Sequence, residues 1–131
     1  MLLNQQQIVI SKTAKLSLDS NGIMRVVMLK DSEETLETAK ENVRLMHTLS
    51  KRRVAPLIVD LRLMKHIDRA AMAYFQNNKA RNGNEVAVAL LIGSPISRLF
   101  GNFFLKVNKP QSHTRLFTSE TSAIKWLEKY L

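Results

Sequence analysis

Between Ala14 and Leu18 apolar and polar positions alternate, and Ile23 to Leu29 returns as a largely apolar run. A period of two marks strands with one covered face, and the Asn21-Gly22 pair between the two runs predicts a hairpin with a two-residue turn. The first ten residues read either as a loose arm or as a further strand. The period then changes. Leu36, Ala39, Val43, Met46 and Leu49 recur at three-and-four spacing, with Glu37, Lys40, Glu41 and Arg44 between them, which predicts an amphipathic helix running to about Ser50. Asp31 is placed to cap that helix, and Glu34, three residues on, to reach back as in a capping box. Lys51-Arg52-Arg53 complements the helix's carboxyl end, a structural role that outranks a nucleic-acid one.

Pro56 to Leu61 and Val86 to Ile92 lack alternation. Such runs belong to strands covered on both faces, and so parallel and central. Each precedes a helix. Asp68 caps the first, turning Ala71, Met72 and Phe75 inward; Ser94 caps the second, with Pro95 at the first helical position, where its missing N–H costs nothing. The loop NNKARNGN separates the two units. Thr114 to Phe117 is a short last strand, and Thr118 or Ser119 caps a final helix that packs through Ala123, Trp126, Leu127 and Tyr130. The expected architecture is an α/β sandwich of about five strands and four helices, with an antiparallel hairpin at one edge and right-handed crossovers between parallel strands. No repeat or linker divides residues 1–131, so one domain is expected.

Composition narrows the function classes. A chain of 131 residues can bury one sizeable core. The absence of cysteine excludes disulfides, thiolate metal sites and a cysteine nucleophile. The start MLLNQQQIVI shows neither a signal peptide nor an anchor, and the longest apolar run, Val86 to Ile92, falls far below the ~20 residues of a membrane-crossing helix. A cytoplasmic location is expected. The net charge of +9 concentrates between Arg44 and Arg81, while acids cluster in DSEETLE. That asymmetry favours an anionic partner, with a solvated, solubilising surface as the alternative.

Candidate chemistry gathers at two places. Asp60, His66 and Asp68 could meet at a strand end and hold a metal or run acid–base chemistry, although loop hydrogen bonds for Asp60, a cap for Asp68 and an exposed His66 explain the same residues and are preferred. The stretch GSPISR offers Ser94, Ser97 and Arg98 at a helix start after a parallel strand; Arg62, Lys65 and Arg69 on the same rim would make it an anion site. The four glycines spell neither a phosphate loop nor a dinucleotide fingerprint, and no cofactor is expected. In ISRLFGNFFLKV, Ile96, Leu99 or Phe100, Phe103 and Val107 form one stripe for the core. Phe104 and Leu105 fall off it, which points to a second contact with a partner protein, a second copy or a membrane surface, with coverage by the chain ends as an equally simple explanation.

The element order, together with a strand ending in Asp60 and a second acid at Asp68 preceded by Ile67, resembles the STAS domain of anti-sigma factor antagonists and sulfate transporters. The family pattern at this switch reads D-x-S-x-x-x-x-M-D-S-S-G. In the family the second of the paired serines is phosphorylated by a partner kinase, and that position falls on Ala70 here, with Arg69 on the first. From Lys51 through Gly93 there is no Ser or Thr, and Tyr74 is the sole hydroxyl. The closer resemblance is to bacterial STAS-like proteins of uncharacterised role, with a looser similarity to the lipid-carrying Sec14 fold. It implies a non-enzymatic regulatory or protein-interaction module that lacks the phosphoserine switch. The expected contact surface comprises Asp60, Arg62, Lys65, His66, Asp68, Arg69, Ala70, Ser94, Ser97, Arg98 and Phe104, with a protein partner first and a homodimer as a further expectation. A binding module for an anionic small ligand or lipid head group is the second reading, and a basic nucleic-acid-associated protein the third.

Overall fold

The computed structural model describes residues 7–76, 85–95, 97–99, 102 and 113–131. Six strands form the main sheet: β1 (Gln7–Ile10), β2 (Ala14–Leu18), β3 (Met24–Met28), β5 (Ala55–Asp60), β7 (Glu85–Leu91) and β8 (His113–Phe117) lie side by side in that order. The first three are an antiparallel meander, and β3, β5, β7 and β8 run parallel. The two non-alternating runs therefore occupy the middle of the sheet, as their composition requires. A separate two-stranded sheet pairs β4 (Glu33–Glu34) with β6 (His66–Ile67). Among the described residues there are eight strands rather than about five, because the arm forms β1 and the two-residue strands are too short to carry a period.

Helices α1 (Leu36–Ser50) and α2 (Arg69–Gln76) cover one face of the sheet through Ala39, Leu49 and Ala71, which join Leu16, Val26 and Leu90 in the main core. Residues 95, 97–99 and 102 are helical and mark α3. Helix α4 (Glu120–Leu127) covers the opposite face with Ala123, Trp126 and Leu127 against Ile23, Ile58 and Ala87, and a short helical turn, Glu128–Tyr130, follows it.

Two local expectations are corrected. The β2–β3 connection is not a two-residue turn. Gly22 N–H donates to Asp19 O (2.9 Å) and Asp19 N–H to Ile23 O (2.9 Å), enclosing three residues, with Gly22 at φ +96° in the left-handed region that glycine tolerates. Helix α1 does not start after Asp31, which itself sits at φ 60°. Its cap is Thr35, whose hydroxyl accepts from Thr38 N–H while Thr38 Oγ1 accepts from Thr35 N–H. That reciprocal pair uses threonine where the sequence pattern pointed to Glu34, and it leaves Glu34 on β4. Along α1, Ala39, Val43 and Leu49 are buried as expected, Leu36 and Met46 are half-buried, and Asn42 joins the inner face.

The carboxyl end of α1 carries backbone strain. Lys51 (φ 53°) and Arg52 (φ 58°) are both left-handed, and Arg53 N–H closes the turn onto Ser50 O (3.0 Å). Two consecutive positive φ values suit Asn-Gly far better than two long side chains. Arg52→Gly is expected to raise stability by about 0.5–1 kcal/mol, read as a higher urea midpoint at an unchanged m-value.

Candidate functional site

Strand β5 ends on Asp60, which is nearly buried, and the chain turns at once. The Asp60 carboxylate accepts from Arg62 N–H (3.0 Å), Arg62 Nε (3.0 Å) and Arg62 Nη2 (2.7 Å), a loop fastened by a bidentate fork. Glu120, in the first turn of α4, lies 3.8 Å from Arg62 and 3.4 Å from Arg25, which in turn meets Asp19 at 3.2 Å. Charges of alternating sign thus run from Asp60 through Arg62, Glu120 and Arg25 to Asp19. The hydrogen bond that Arg62 donates to Asp60 raises Arg62 above the ordinary arginine value against the partial burial that opposes it, and the charges of Asp60 and Glu120 add to the rise. Its guanidinium is engaged within the protein. The Arg62 side chain also lies over Gly93: a Cβ there would stand 3.1 Å from Arg62 Cγ, so the strand ends of β5 and β7 adjoin.

Beyond Arg62 the loop divides by side. Leu61, Met64 and Ile67 are buried, while Leu63, Lys65 and His66 face water. Asp68 Oδ1 accepts from Ala71 N–H (2.8 Å) and caps α2, whose first turn exposes Arg69 and Ala70. The trio Asp60, His66 and Asp68 is thereby occupied as a loop anchor, an exposed ring and a cap, and no group of histidine and acidic residues among those described is arranged to hold a metal ion.

At the start of α3, Ser94 Oγ accepts from Ser97 N–H (3.0 Å). Ser97 Oγ accepts from the Gly93 and Ser94 amides (3.0 Å each) and donates to Ser94 O (3.1 Å), and the residue is wholly buried. The amides that an anion would need are therefore already satisfied by a hydroxyl. Arg98 faces water, and Leu99 is 72% exposed rather than part of the core stripe. Ile96, Phe100, Phe103, Phe104, Leu105 and Val107, like the NNKARNGN loop, lie outside the described residues. On the loop after β5 and the start of α2, Leu63, Lys65 and Arg69 are exposed, and on α3 so are Arg98 and Leu99.

One feature escaped the sequence reading. Glu34 is 1% exposed, in the strap between β3 and α1. Its Oε1 accepts from Thr13 Oγ1 (2.7 Å) and Thr38 Oγ1 (2.5 Å), and its Oε2 from Asn42 Nδ2 (3.0 Å); Asn42 Oδ1 in turn accepts from Ser11 Oγ (2.6 Å). The same strap holds the loop after β5 through backbone bonds: Asp31 N–H to Leu63 O (2.9 Å), Lys65 N–H to Ser32 O (2.9 Å) and Asp68 N–H to Glu34 O (3.0 Å). Between the sheet and helices α1 and α2 lies a cavity of about 80 Å³ whose wall is apolar apart from Glu34 and Asn42. The sequence places Glu34 among surface acids, and only the threonines at both 35 and 38 hint that the cap belongs one residue later.

Comparison with known proteins agrees with this architecture. A model of the family described as a domain of unknown function, DUF7793, matches residues 16–131. The solved structure of an uncharacterised DUF3478-family protein from Shewanella loihica, described as having a SpoIIAA-like fold, superposes with a TM-score of 0.62 at 12% identity, over 97% of this chain and 98% of that one. The fold is thus the STAS-like one anticipated from Asp60, Asp68 and the element order. No curated protein sequence matches the chain. Among the described residues no helix is long and apolar enough to cross a membrane.

Proposed function

This chain belongs to the DUF7793 family, a domain of unknown function, and on its STAS-like fold we propose a non-enzymatic interaction module that binds a partner protein through the rim above the parallel strands. The observation that carries this reading is the pair of exposed leucines, Leu63 at 55% on the loop after β5 and Leu99 at 72% on α3, each with exposed cations near it along the chain, Lys65 and Arg69 for the first and Arg98 for the second. Apolar side chains ringed by charge are what a protein interface desolvates first, and the surrounding cations select a partner with an acidic margin. Asp60, Arg62 and Asp68 hold the loop in shape, and His66 extends the surface. Ala70 and Arg69 stand where related domains carry serines, so the contact is proposed to be constitutive rather than switched by phosphate here.

The anionic-ligand reading is less favoured, because Ser97 already fills the amide nest at α3. The test is affinity capture from the native host's lysate on immobilised protein. Wild type is expected to retain a partner that Leu63→Glu/Arg69→Glu retains at least about tenfold less, since each residue removed from a contact centre costs about 1–2 kcal/mol. Equal recovery on both, with matching circular dichroism, would overturn the surface assignment.

A further inference from the structure

We propose that the cavity between the sheet and helices α1 and α2 is a binding site for a compact organic cation, a primary ammonium carried on a small branched apolar body. The argument starts from Glu34. Every polar neighbour donates to its carboxylate: the hydroxyls of Thr13 and Thr38 and the amide of Asn42. A carboxylate, with acceptor capacity on both oxygens, takes all three donors. Among the described residues no Lys, Arg or His makes an ion pair with it. Neutral donors solvate a buried charge without balancing it, and a buried charge gains most from a counter-charge at close range.

The cavity adjoins that charge. Glu34 and Asn42 form its polar end, and Val26, Leu57, Val88 and Leu90 make the floor. Met28, Met46 and Met64 line it as well, and their unbranched, polarisable side chains adapt to guests of different outline. At about 80 Å³ the space is roughly half the 150 Å³ of an engineered cavity that takes benzene. A three-carbon amine such as isopropylammonium is therefore the natural upper size, and an extended chain is excluded. An anionic guest would face Glu34 directly and is excluded by sign. This site is independent of the partner surface, although Leu61, Met64 and Ile67 reach the cavity from the inner side of the contact loop.

The test uses the full-length protein carrying ¹³C-methyl methionine, titrated with isopropylammonium chloride, isopropanol and sodium acetate at equal ionic strength. Saturable shifts are expected for the Met28, Met46 and Met64 methyls with the ammonium alone, with Met72 unmoved. The thermal midpoint is expected to rise by about 4 °C when the amine stands at tenfold its Kd. Glu34→Gln is expected to abolish the preference for the amine over the alcohol. Because that variant could unfold, the wild-type comparison decides alone: shifts absent with the ammonium, or equal with all three compounds, would overturn the proposal.

Discussion

Replacing Glu34 by alanine is expected to lower the free energy of unfolding by about 2–4 kcal/mol, because Thr13, Thr38 and Asn42 lose the acceptor they share, Thr38 keeping Thr35 O and Asn42 keeping Thr13 Oγ1 as second partners, and each orphaned group costs about 1–3 kcal/mol. The donors come from three places in the fold: Thr13 from the β1–β2 corner, Thr38 and Asn42 from successive turns of α1. Their loss would loosen the joint between the meander and the helical layer. Removing the carboxylate also removes the cost of burying a charge, which is why the expected loss is smaller than three full penalties. Glu34→Gln keeps one acceptor oxygen for the threonines but turns an amide nitrogen toward that of Asn42, and about 1–3 kcal/mol is expected for it. Urea denaturation of the two variants checks the order. A loss below 1 kcal/mol in the alanine variant would show that the donors find other acceptors.

Trp126→Ala is expected to cost about 3–5 kcal/mol by transfer and cavity terms. Trp126 is 8% exposed and meets Phe117 at 5.5 Å and Tyr130 at 5.3 Å between ring centroids, with the Arg115 guanidinium 5.5 Å from its ring. It fixes α4 to the second face of the sheet, and Glu120 at the start of that helix braces Arg62 from below the rim. The variant is therefore expected to lose stability and to weaken partner binding as well. Unfolding followed by tryptophan-independent circular dichroism gives the first effect, and a midpoint within error of wild type would contradict the packing described.

The fold was legible wherever one physical signal dominated locally. Continuous apolar runs gave β5 and β7, Asp68 and Ser94 announced the starts of α2 and α3, and Ser119 that of α4. Signals that competed at close range misled. Asp31 and Thr35 are both good caps, and the choice between them turned on a tertiary fact, namely that Thr13, 21 residues before Glu34, brings a hydroxyl to the carboxylate expected to reach back to Asp31. The strands β4 and β6 have two residues each, below any period. At the rim, Asp60 and Arg62 were visible because their bond spans two residues. Their mutual neutralisation was not, nor was the link through Glu120, because both depend on how α4 crosses the sheet. The cavity was invisible for the same reason: its walls come from β3, β4, β5, β7, α1, α2 and the loop after β5, and no stretch of sequence contains it.

The proposed partner surface is tested most directly by hydrogen–deuterium exchange on the protein alone and bound to its captured partner. Slower exchange is predicted for peptides spanning residues 61–70 and 93–99, with β1 and α4 unchanged. Protection confined to β1 or α4, with the rim exchanging as in the free protein, would contradict the assignment of the contact surface.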